Sequence, residues 1–485
     1  MRTIVVFFLL IFTLSFLMVS CYGMRRSNGG GQTGATVVRS TDPADIALPA
    51  GYRIEAIATG LNFPSGITFD EQGHAYVIES GYSYGELWLE PRLLRLEAGN
   101  KTSPVATGEK NGPWTGIEFY KGSFYVAEGG HAEGGKILRI ARDGKMTTLI
   151  RGLPSLGDHH TNGPAIHDGY LYFGQGVATN AGVVGPDNAD FGWLKRHPDF
   201  HDIPCGDVTL TGQNYTSDNP LTSPKDDRAI TGAYMPFGQP SQAGQVIKGQ
   251  IPCSGSILRV PVGGGDPELV AWGLRNPFGL SFSPDGRLYV SDNAFDERGS
   301  RPVWGAGDVL WEIKSGAWYG WPDYSAGVAL HSDVEFKPPG GRRPKPVLAR
   351  APGEVPAPVA ILGVHASANG LDFSRSDRFG HRDEAFIALF GDMAPGAGKV
   401  LAPVGFKVQR VNVKTGVIQD FAVNKGHRNG PATWLKKGGL ERPLALHFDP
   451  AGEALYVVDF GIMTTDKTGP KPVPKTGVIW KITKI

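Results

Sequence analysis

Two short stretches of this 485-residue chain bring together side chains able to do proton or anion chemistry. The first is Asp158-His159-His160-Thr161-Asn162-Gly163. Imidazole titrates near neutrality, so a paired histidine can take a hydroxyl proton, hold a metal or brace a turn. The second is Arg275-Asn276-Pro277. A fixed cation beside an amide donor suits the carboxylate and carbonyl oxygens of an anionic ligand. The same pair can instead bond a neighbouring segment and cap the turn before Pro277. Asp292, Asp296 and Glu297 gather acidic oxygens of the kind a hard cation takes. Glu79 to Glu86, with Tyr82 and Tyr84, offers aromatic faces for ring stacking or a packed rim.

A repeat must position these groups. A glycine, two apolar residues around one other, a turn and an aromatic or β-branched strand recur along the chain. The phrase is Gly66-Ile67-Thr68-Phe69 with Ala75-Tyr76-Val77-Ile78, then Gly116-Ile117-Glu118-Phe119 with Phe124-Tyr125-Val126. It returns from Gly163 and Tyr170, from Gly279 and Leu288, from Gly370 and Phe386, and at Leu446-His447-Phe448 with Leu455. Most copies end in a further alternating strand, such as Ile137-Leu138-Arg139-Ile140 or Ile479-Trp480-Lys481-Ile482. Alternation with period two between Gly and Asp turns predicts strands, and six such units predict an all-β, six-bladed β-propeller. Long insertions between Gly176 and Gly255, and over about 325–362, are expected to cover the mouth or elaborate the surface.

Composition excludes other classes. With 48 Lys and Arg against 47 Asp and Glu, the chain has no electrostatic footprint for nucleic acid. With 41% hydrophobic residues it has enough apolar surface for a core, despite 68 Gly and 37 Pro. Arg2 and the apolar run from Ile4 to Val19, ending at Ser20-Cys21, read as an export signal with a lipobox, Cys21 being the lipidated residue. Residues 1–21 are therefore expected to be the signal, 22–45 a flexible tether and 46–485 the propeller. The protein would be exported to the periplasmic or cell-surface side and touch the membrane through its lipid alone. Cys205 and Cys253, in an oxidising compartment, are expected to bridge and staple the long insertion.

The stretch Gly273-Leu274-Arg275-Asn276-Pro277-Phe278-Gly279, with Ser291-Asp292-Asn293 and Tyr319-Gly320-Trp321-Pro322 beyond it, resembles the soluble glucose/sorbosone dehydrogenase family over roughly 48–485. That resemblance implies oxidation of a sugar or sugar-like alcohol or aldehyde by bound pyrroloquinoline quinone (PQQ) with calcium. A separate cytochrome or membrane quinone would accept the electrons. It implies His160 as the base and Arg275 steadying charge on the reduced cofactor. Arg275, Asn276, Lys399 and Arg442 would contact the cofactor. The chain departs from the family at Phe278, where glutamine is expected, and at Gly174-Gln175-Gly176, which lacks an aspartate. Of a basic pair entering the last blade only Arg442 remains, with Lys436 and Lys437 nearby. Calcium would be held mostly by backbone carbonyls and water, so its ligands are not readable. Two rival readings stand beside this one. A lactonase-like hydrolase would hold a metal with Glu79, Glu128, Asn276 and Asp292; a non-catalytic propeller would bind a ligand without turning it over.

Overall fold

The structure is a computed structural model that describes residues 38–83, 87–130, 133–190, 192–224, 226–393, 402–466 and 469–485. Cys21, Tyr84 to Glu86 and Lys399 lie outside the described residues.

Each copy of the repeat opens with an axial strand: Pro64–Phe69, Trp114–Tyr120, Thr161–His167, Pro277–Phe282, Ala368–Phe373 and Pro443–Phe448. Each pairs antiparallel with the next strand of its copy, and two further strands complete a twisted antiparallel sheet, giving six blades around one axis. Packing between neighbouring axial strands explains the repeated glycine. A Cβ on Gly116 would lie 2.1 Å from the carbonyl oxygen of Gly163 in the next blade, and one on Gly279 would lie 2.3 Å from that of Asn369. Close approach at the narrow centre of the ring therefore admits no side chain there. Apolar residues between blades, such as Phe124, Val126 and Trp114 or Phe386, Phe448 and Trp480, form the core.

The ring closes through a strand outside the repeat phrase. Tyr52–Leu61 runs antiparallel to Gly477–Lys484 and becomes the outer strand of the sixth blade, and Ile46–Ala47 adds to the edge of the fifth. Pairing the two ends of the described chain leaves no open seam.

The insertion from Gly176 to Gly255 holds the short helices Pro186–Asp190 and Trp193–Arg196 and two small hairpins. Cys205 and Cys253 are bonded, with Cα atoms 5.1 Å apart. The two insertions share one core: Val208, Leu210 and Tyr234 of the first pack with Leu330, Phe336 and Leu348 of the second. Buried Arg301 locks them, pairing with Asp323 at 2.6 Å and donating to the carbonyls of Ala181 and Lys345. Among the described residues no helix is long and apolar enough to cross a membrane.

Candidate functional site

The axial strands converge at the end where they begin, and there they enclose a cavity of about 600 Å³, counted out to its open mouth. Alternation decides which residues face it. The residue just before the repeat glycine, or before Ala445 in the sixth blade, lines it in five blades: Ser65, Thr115, Phe278, Asn369 and Leu444. Two positions earlier, Pro113, His160, Asn276 and Ser367 do the same. The turns after the second strands add Ser80, Asn293, Phe390 and Phe460.

His160, on the turn that enters the third blade, lines the cavity. Its ring is buried, and burial alone pulls its pKa down to about 4, so the imidazole is neutral at pH 7. No aspartate follows it across the blade; Gln175 occupies that place, bonded to Thr161 at 2.8 Å. His159 faces away from the cavity. Its Nδ1 lies 3.0 Å from the carbonyl of Val177, and burial together with the charges of Arg275 and Arg298 holds its pKa well below the usual value.

A chain of amides crosses three blades beside His160. Asn162 Nδ2 donates to Asn276 Oδ1 at 3.0 Å, Asn276 Nδ2 to Asn293 Oδ1 at 2.8 Å, and Asn293 Nδ2 to the carbonyl of Ala368 at 2.8 Å. Each link fixes an amide orientation, leaving Asn276 and Asn293 one further N–H each. Asn293, Ser367 and Asn369 were not singled out individually by the sequence reading. Their signal was the two-residue alternation around the repeat glycine and the turn after the second strand.

The expectation that Arg275 faces a ligand is corrected. Its guanidinium donates to the Asn180 carbonyl at 3.1 Å and to Asn180 Oδ1 at 2.9 Å, and it pairs with Asp296 at 2.9 Å. It does not line the cavity. A further bond to the Asn293 carbonyl at 3.3 Å completes its partners, and Asp296 is also flanked by Arg298 at 3.1 Å and His365 at 3.4 Å. Burial would raise Asp296, but Arg275, His365 and Arg298 overcome it and hold its pKa well below the carboxylate range. Asn276 keeps its place on the cavity, and its backbone N–H is held by Asp292 at 2.7 Å.

Arg442 does not line the cavity either. Fully buried, it donates to the carbonyls of Gly391 and Asp392 and lies 4.8 Å from the ring of Phe390, which lines the cavity. Among the described residues its Nε and Nη2 have no hydrogen-bond partner, and burial lowers its pKa to about 10. The charges of Asp392, Glu441 and Asp459 offset part of the cost of burying this cation. Lys399 cannot be placed, since it lies outside the described residues.

The carboxylates named for metal binding do not converge. Glu79 accepts from the N–H of Asn62, Glu128 from Asn111 and Trp114, and Asp292 from Arg275, Asn276 and Trp311. Each caps the turn into an axial strand of its own blade. Among the described residues no three His, Cys, Asp or Glu side chains are placed to hold a metal ion. The hydrolase reading therefore loses its ligand set.

No family model matches the chain, and no curated protein matches it. Solved structures do share its fold. The PQQ-bound aldose sugar dehydrogenase of Streptomyces coelicolor matches with a TM-score of 0.50 and 18% identity, over 90% of this chain and 99% of that one. The holo PQQ domain of pyranose dehydrogenase from Coprinopsis cinerea matches with a TM-score of 0.53 and 15% identity, over 93% and 99%. A calcium structure of a Trichoderma reesei enzyme of carbohydrate-active family AA12 gives 0.52 and 14%, also over 93% and 99%.

Proposed function

We propose that this propeller oxidises a sugar or sugar-like alcohol or aldehyde with PQQ bound in the axial cavity. The observation that carries the reading is the neutral His160 imidazole on the cavity wall, beside the fixed amides of Asn276 and Asn293. The residues present fit the cofactor. Phe278, Phe390 and Phe460 suit a flat ring, and the spare amide N–H groups of Asn276 and Asn293 suit quinone oxygens. The solved neighbours whose names include PQQ share the fold and point the same way.

His160 would take the substrate's hydroxyl proton as the C–O bond gains double-bond character, and Asn369 would orient a remaining oxygen. PQQ supplies the two-electron acceptor for the hydride that leaves the same carbon. Its reoxidation needs a separate cytochrome or membrane quinone, near which a lipid on Cys21 would hold the enzyme. Arg275 is a positioning residue in this scheme: it ties the turn bearing Asn276 to Asn180 of the insertion.

The test is calorimetric titration of the protein with PQQ plus calcium, alongside dye reduction with a panel of aldoses. Saturable binding with turnover lost in His160→Ala is expected. No binding at high micromolar PQQ would overturn the reading and favour a propeller that binds without catalysis.

A further inference from the structure

Charge is placed unevenly around the ring. Residues 38–45 lie across the entrance to the sixth blade, at the end where the cavity opens. The Arg39 side chain is buried there, pairing with Asp459 at 2.5 Å and donating to the carbonyls of Gly439 and Thr476. The Asp42 N–H donates to the Gly438 carbonyl at 2.7 Å, and the Asp45 carboxylate accepts from the Gly438 N–H at 2.7 Å. The Lys425 N–H donates to the Asp45 carbonyl at 2.8 Å. These bonds gather residues 38–45, 425–440 and 471–477 into one sector of the mouth rim.

Together those stretches carry seven Lys and Arg against two Asp, in a chain whose totals are 48 basic and 47 acidic residues. Lys437 answers Asp45 at 3.1 Å. Lys425, Arg428, Lys436 and Lys475 are exposed and, among the described residues, have no acid within ion-pair distance. The chain before Val38 enters the fold through the same sector. It adds Arg25 and Arg26, and no Asp or Glu occurs from Met1 to Thr41.

We propose that this sector is a docking surface for a membrane rich in anionic phospholipid, a contact additional to any lipid on Cys21. Clustered Lys and Arg hold an anionic bilayer surface at about 1 kcal/mol per cation, an attraction that salt screens over about 10 Å. A bilayer fits this sector better than an acidic protein does, because the apolar run from Ile4 to Val19 joins the fold here. Cys21 is 17 residues from Val38, within about 60 Å at full stretch. Docking would turn the mouth of the cavity towards the bilayer. The proposal goes beyond the oxidation read above and does not need PQQ to bind.

The test is co-sedimentation with vesicles of phosphatidylglycerol mixed with phosphatidylcholine, against phosphatidylcholine alone. Residues 38–485 close the ring among themselves, so the chain from Tyr22 onward keeps every described contact while lacking the apolar run and Cys21. Binding to the anionic vesicles alone is expected, and it should be lost at about 0.5 M salt. Lys436→Glu with Lys475→Glu should weaken it about tenfold or more. Lys101→Glu with Lys145→Glu, exposed at the opposite end of the axis, should change it less than twofold. Equal binding to both vesicles, or equal losses in the two double variants, would overturn the proposal. So would retention on an acidic cytochrome without vesicle binding, which would give the sector to a protein partner. No arm contains PQQ, so failure of the oxidation reading leaves the outcome untouched.

Discussion

His160 and His447 belong to opposite blades and opposite ends of the axis. Five register positions separate them along their strands, about 16 Å at the rise of a β-strand. His160 is buried and His447 half-buried, and their imidazoles are pushed in opposite directions. Burial takes His160 down to about 4. Burial would lower His447 as well, but Asp372 at 3.4 Å and Glu118 at 3.7 Å overcome it and raise its pKa to about 9. The mouth therefore holds a neutral imidazole able to accept a proton. The far end holds an imidazolium joining the second, fifth and sixth blades, and Ser281 of the fourth bonds the same Asp372 at 3.1 Å. Low dielectric disfavours any charge; whether a buried histidine is a base or an ion-pair partner depends on the carboxylates that the neighbouring blades bring.

The sharpest way to break this contrast is to remove each ring in turn. His160→Ala is expected to lower turnover with PQQ by about a hundred- to ten-thousandfold, while His447→Gln changes kcat by no more than a few-fold. Steady-state dye reduction measures both, and equal losses would end the division of roles. Arg275 gives a parallel test: breaking its satisfied buried pair in Arg275→Met should cost about 3–5 kcal/mol of stability, read from urea midpoints.

Stability against pH should separate the two histidines next. Below its ordinary pKa of 6.5 the unfolded chain protonates the position of His160, whereas the folded protein waits until about 4. Its contribution is thus whole above pH 6.5 and declines as pH falls towards 4. His447 runs the other way: its contribution is whole below pH 6.5 and declines as pH rises towards 9. Each is worth about 3 kcal/mol at most, from the size of the shift. Urea midpoints of His160→Asn and His447→Gln, each against the parent between pH 4 and 9, should converge with it at opposite ends of that range. The smallest effect is Glu118→Gln, expected to lower the His447 pKa by about one unit; NMR titration of the imidazole reads it directly.

Much of the architecture was legible because strand alternation and the repeat glycine are local signals. The six axial strands, the stapled insertion and the position of His160 on a blade-opening turn all follow from residues close in sequence. The closing strand Tyr52–Leu61 was not, since it lacks the glycine phrase and is defined only by pairing with Gly477–Lys484. Arg275 shows the same boundary inside the site. The sequence placed it beside Asn276 and left open whether it meets a ligand or a neighbouring segment. Its direction was set by Asn180, 95 residues away, and by Asp296 across the turn.

Strand alternation set which side of each strand carries apolar residues, because a side-chain period of two leaves each strand only one way to bury its apolar face. What those side chains meet came from ring closure. The apolar cluster beside the cavity gathers side chains from the fourth, fifth and sixth blades, and the His447 ion pairs gather them from the second, fifth and sixth. Ring closure creates these neighbours, and with them the local charge and dielectric that set each group's chemistry.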